Sequence, residues 1–127
     1  MGLSRSDALS IGRGVGAEAV QAVVLISDTT PIEIIAGRTG QTLYLNYLAI
    51  SMTDAPEAAY QSASLTDGSG GTVWWAIELG ASANYQPRSY ALDFGEYGFA
   101  LTQDNGLYGV TSGSTFDIAV TALGCWR

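Results

Sequence analysis

The chain has no histidine, no lysine and a single cysteine in 127 residues. Each absence removes a class of chemistry. Without histidine there is no Ser–His or Cys–His nucleophile pair and no histidine metal ligand. Without lysine there is no Schiff base and no Walker-type phosphate loop. Cys125 has no partner in the chain, so an internal disulfide is impossible. Beside Trp126 it reads as a small hydrophobe in the last strand or its exit. No apolar run approaches the ~20 residues of a membrane helix. No basic region followed by an apolar core opens the chain, so no signal peptide is expected and synthesis in a reducing cytoplasm is. Met1-Gly2-Leu3-Ser4-Arg5-Ser6 matches the permissive N-myristoylation pattern. No polybasic patch follows to supply a second membrane signal, so the match reads as chance and no membrane partner is expected.

What is present is acidic and apolar. Seven Asp and five Glu face five Arg, for a formal net charge of −7. Such a surface repels phosphate backbones, so nucleic acid is not an expected partner. Hydrophobic residues make up 47% of the chain, enough to specify one globular domain with a real core. The twelve acids leave a glycosidase-type carboxylate pair possible in principle. Most of them lie in turns or on the polar positions of strands, where solvation places them. No catalytic residue, metal ligand or cofactor is assigned, and the protein is not expected to be an enzyme. Asp67-Gly68-Ser69-Gly70 and Asp104-Asn105-Gly106 lack the acid spacing of a calcium loop and read as turns.

The order of residues divides the chain into an arm, 1–19, and a β domain, 20–127. The arm holds Gly2, Gly12, Gly14 and Gly16, which oppose a long helix. Leu3, Leu9 and Ile11 are its apolar anchors, with Val15, and Arg5 and Arg13 its cations. It is either a frayed end or a latch that orders on a neighbouring subunit.

Val20 to Ile26 is a near-continuous apolar run, expected to be a strand buried on both sides. Ile32, Ile34 and Ala36 alternate with Glu33 after the Asp28–Pro31 turn. Gln41 to Thr53 changes apolar phase midway, which predicts a bulge near Asn46-Tyr47 or a strand crossing between sheets. Ala58 to Thr66 is a weaker Ala/Ser-rich strand, closed by the glycine turn 67–71. Val73, Trp75, Ile77 and Leu79 then share one face, leaving Trp74, Ala76 and Glu78 on the other. Tyr90, Leu92 and Phe94 alternate next, and Tyr97, Phe99 and Leu101 are expected to continue inward. Asn105-Gly106 is a strong hairpin signal. Phe116, Ile118, Val120 and Ala122 line the last strand. Eight or nine short strands with regular turns and no convincing helix specify an all-β fold, an antiparallel two-sheet sandwich or barrel, with a jelly roll as the preferred topology.

Several segments together resemble a known group of proteins. They are Gly40-Gln41-Thr42-Leu43-Tyr44-Leu45, Ser64-Leu65-Thr66-Asp67-Gly68 running on to Gly71-Thr72-Val73-Trp74, Asn105-Gly106-Leu107, and Ser112-Gly113-Ser114-Thr115-Phe116-Asp117-Ile118-Ala119-Val120. Their rhythm and turn placement, over roughly residues 20–123, resemble the small jelly-roll capsid decoration (cement) proteins of tailed bacteriophages. The resemblance implies a virion protein on the outer capsid surface that stabilises the shell. It implies the major capsid protein as partner and a small homo-oligomer, dimer or trimer. It also implies a terminal clamp, here Leu3, Leu9 and Ile11 as apolar contacts with Arg5 and Arg13 pairing with capsid acids. The alternative is a receptor- or carbohydrate-binding module of a tail or fibre, resting on an outward-facing Trp74 and the tyrosines of the second half, Tyr85, Tyr90, Tyr97 and Tyr108.

Overall fold

The computed structural model describes residues 18–52, 61–79, 89–113 and 117–127. Nine strands and no helix lie among them: β1 (Glu18–Ile26), β2 (Ile32–Ile35), β3 (Leu43–Met52), β4 (Gln61–Asp67), β5 (Thr72–Leu79), β6 (Ser89–Asp93), β7 (Phe99–Ala100), β8 (Leu107–Thr111) and β9 (Ile118–Trp126). They form two antiparallel sheets. The first runs β1-β9-β3-β6, with β7 paired to the other end of β3, and the second runs β2-β8-β4-β5. The protein is a two-sheet antiparallel β-sandwich.

The pairing is nested. β1 pairs with β9, β2 with β8, β3 with β6 and β4 with β5, all antiparallel. The chain therefore doubles back on itself around the β4–β5 turn. The doubled ribbon is shared between the sheets, which β9·β3 and β8·β4 pairing complete.

Alternation decides what enters the core. Leu43, Leu45, Leu48, Ile50, Ile118 and Val120 of the first sheet are buried, and Ile35, Leu65 and Leu107 of the second meet them. The expected phase change in β3 is real. The β3–β9 register shifts between Leu45 and Tyr47, so both Leu45 and Leu48 point inward from one strand. The strand stays in its own sheet. Asn46, at the bulge, is buried, and its Nδ2 donates to the carbonyls of Gly95 (2.9 Å) and Glu96 (3.1 Å). Cys125 and Trp126 close the last strand and are both buried.

Several expectations are corrected. β1 is not buried on both sides. It is the edge of its sheet, so Val20, Ala22 and Val24 pack inward while Val23 and Leu25 are 68% and 54% exposed. In β2 a register shift between Glu33 and Ile35 replaces simple alternation, burying both Ile34 and Ile35 and leaving Ala36 exposed. Tyr97 does not continue inward. It sits in the turn that Gly95 and Gly98 make with positive φ, and it is 75% exposed. The Asn105-Gly106 turn does not close a hairpin. It carries the chain from β7, paired to β3, to β8 in the other sheet, and Asp104 takes the positive φ of 73°.

Candidate functional site

The expected contact residues Leu3, Arg5, Leu9, Ile11 and Arg13 lie outside the described residues. Trp74 lies within them, and it does not face outward. The β4–β5 register shifts between Leu65 and Thr66, which pair with Trp75 and Val73. Trp74 is the extra residue of that bulge. The bulge turns it toward the core and leaves Val73 53% exposed in its place. Its ring lies 4.9 Å from that of Phe99 and 6.0 Å, edge-on, from that of Phe94. Trp74 Nε1 is buried with no acceptor among the described residues. Strict alternation misses this because a bulge adds a residue without changing composition.

Beside β1 the sandwich opens. The free edges of β1 and β2 flank a groove of about 250 Å³, lined by Val20, Ala22, Ile34, Ile35 and Trp126, with Arg38 at its rim. Arg38 donates from both terminal nitrogens to the Glu18 carboxylate, and its guanidinium carbon lies 4.9 Å from the centre of the Trp126 ring. The hydrogen bond from Arg38, with its charge, holds Glu18 below the usual carboxylate range, and the same bond raises Arg38. The groove has an apolar floor and a paired charge at its lip. It opens beside the start of β1. The groove needs the two edge strands brought together.

The remaining charges mostly hold turns. Asp67 accepts from Thr102 N (2.9 Å), Thr102 Oγ1 (2.7 Å) and Asn105 Nδ2 (3.0 Å). Burial pushes its carboxyl up, but these bonds outweigh burial and leave it below the ordinary carboxylate value. Asp104 accepts from Gly40 N, and Asp28 accepts from Thr30 N at 3.0 Å. Glu33 accepts from the Tyr108 hydroxyl at 2.8 Å, which raises the tyrosine pKa. Arg127 stacks over Tyr44, 3.9 Å from the ring centre, and donates to the Tyr97 carbonyl. Among the described residues no three acids or thiols gather as a metal site. The two glycine-rich turns use their aspartates to tie loops to one another.

No protein-family model matches the chain, and no curated protein does. Among solved structures, a chain from the Bacillus endospore appendages, described as a novel family of disulfide-linked pili, is similar. It is 13% identical, with 87% of this chain and 88% of that one covered and a TM-score of 0.38. At that score the likeness carries no argument about function.

Proposed function

We propose that this protein is a structural subunit that acts by contact, and specifically a jelly-roll decoration protein bound to the outer surface of a phage capsid. The nested pairing around β4–β5, split between a five-stranded and a four-stranded sheet, supports reading the sandwich as a doubled ribbon wrapped into a jelly roll. The observation that carries the functional reading is the groove between β1 and β2. A groove with apolar side chains at its floor, Gln21 in its wall and an ion pair at its lip, beside the start of β1, suits a clamp in which Leu3, Leu9 and Ile11 supply apolar contact and Arg5 and Arg13 pair with acids of the major capsid protein. The carbohydrate-binding alternative stood on an outward Trp74 and the tyrosines; Trp74 instead packs against Phe94 and Phe99.

The test is co-sedimentation of the protein with phage capsids stripped of their decoration. The full chain is expected to pellet with the shells and raise their resistance to heat. Deleting residues 1–17, or changing Arg5 and Arg13 to Glu, is expected to weaken binding at least about tenfold, as loss of one or two anchors costs ~1.4 kcal/mol or more. A deleted chain that binds with full affinity refutes the clamp.

A further inference from the structure

The outward face of the first sheet carries little charge between its ends, where the register lines it up in rows; Arg127, stacked over Tyr44, stands beyond them at one end of the face. Gln21, Leu123, Tyr47 and Asp93 form one row across β1, β9, β3 and β6. Val23, Thr121, Ala49 and Ala91 form the next, and Leu25, Ala119, Ser51 and Ser89 the third. Only Asp93 in these rows carries a charge, on a chain whose formal net charge is −7. The exposed face of the second sheet, by contrast, carries Glu33 and Glu78. Size also grades across the second and third rows. The exposed, bulky Val23 and Leu25 stand on β1, and the exposed, small Ala91 and Ser89 stand on β6.

We infer that this face is the contact between two copies of the chain, packed sheet to sheet about a two-fold axis lying in the interface parallel to the strands. That rotation lays β1 of one copy over β6 of the other, and β9 over β3. Val23 then meets the second copy's Ala91, and Leu25 meets its Ser89. Bulk sits over small side chains on both halves, as sheets stacked ~10 Å apart require. Gln21 meets the second copy's Asp93, so the carboxylate of that row gains an amide donor.

Charge selects the occupant. Two bodies of the same strong negative charge can approach closely only through a surface that lacks charge, whereas a basic partner would be met by acids. Size agrees as well. β1 and β9 have nine residues each and β3 has ten. At ~3.4 Å per residue and ~4.8 Å between strands, the face projects to roughly 500 Å². The face is smaller than the ~800 Å² per partner of a standard interface, which fits a dimer that forms at tens of micromolar.

The inference stands on this face alone and does not depend on capsid binding. Sedimentation velocity of the full chain at tens of micromolar is expected to give twice the 13.3 kDa of one copy. The double variant Val23→Glu, Leu25→Glu, and separately Ala91→Arg, which fills the space Val23 needs, are each expected to give a folded monomer by circular dichroism. A bifunctional thiol reagent spanning about 8 Å, longer than a disulfide reaches between sheets ~10 Å apart, is expected to link Val23→Cys combined with Ala91→Cys between two copies efficiently, while Val23→Cys alone links poorly. Cys125 is buried and does not compete. A monomeric wild type, or a dimer untouched by Ala91→Arg, overturns the inference. So does a Val23→Cys single variant that cross-links as well as the pair. A monomer that still co-sediments with capsids overturns the dimer alone.

Discussion

Trp74 is held by Phe94 and Phe99, so its ring belongs to the energetics of the fold. Removing a fully buried tryptophan costs about 3–5 kcal/mol, and partial burial places Trp74→Ala nearer 2–3 kcal/mol. At roughly 4 °C per kcal/mol for a domain of this size, that lowers the melting temperature by about 7–11 °C. Trp74→Phe keeps the ring contacts and removes a buried N–H with no acceptor among the described residues, so it is expected to change stability by less than about 1 kcal/mol. Thermal melts of the two variants check this, and an unchanged melt for Trp74→Ala would place the ring in solvent. Asp67 has a different signature. Its folded pKa lies below the ordinary value of about 3.9, so its contribution is present above that pH and lost as pH falls through the folded pKa. Asp67→Asn is expected to lower stability by about 1–2 kcal/mol at neutral pH. The gap to wild type is expected to close as pH drops below about 4, read from urea midpoints at each pH. A gap that stays constant would mean the carboxylate charge does not contribute.

At the scale of the strands, β9 has most to lose, because it lies between β1 and β3 and both of its edges are paired. Gly124 sits where β9 passes β3 most tightly. A Cβ there would come within 2.5 Å of the Tyr44 carbonyl oxygen, which is backbone and cannot rotate away. Gly124→Ala is therefore expected to cost about 1–3 kcal/mol by chemical denaturation. An undisturbed midpoint would mean β9 and β3 can separate at no cost. Strands were legible in the sequence wherever alternation ran unbroken, as in Ile118, Val120 and Ala122. The β3 bulge was legible too, because its apolar phase changes between Leu45 and Leu48. The β5 bulge was not. Trp74 and Trp75 are the same residue type on either side of the shift, so no change of phase marks it. The exposure of β1 was hidden for another reason. Val23 and Leu25 are as apolar as the core residues beside them, and only the strand order reveals that they face outward. Asn105-Gly106 misled because a turn dipeptide reports a reversal of direction and not the sheet in which the next strand lands. The candidate site was the least legible part. Its groove joins β1 to β2 and Trp126, brought together from distant parts of the chain.

Nested pairing also sets how the whole molecule comes to fold. The innermost pair, β4 with β5, is joined by a short glycine turn and is local. Each outer pair spans more chain, up to β1 with β9, where Glu18 stands opposite Trp126. Closing such loops costs entropy before any outer contact is made, and folds dominated by non-local strand pairs refold in milliseconds to seconds. Refolding by denaturant dilution is accordingly expected in that range in stopped-flow tryptophan fluorescence. Relaxation in microseconds would contradict the pairing order. The same nesting makes the end of the chain indispensable. Deleting residues 118–127 removes β9 with its core residues Ile118, Val120 and Ala122, frees the paired edges of β1 and β3 and leaves β1 with no partner strand. A truncated chain is expected to show no cooperative unfolding transition by circular dichroism. A cooperative melt would mean that β2-β8-β4-β5 and β3-β6 hold a core by themselves, and that the first and last strands close the sandwich without creating it.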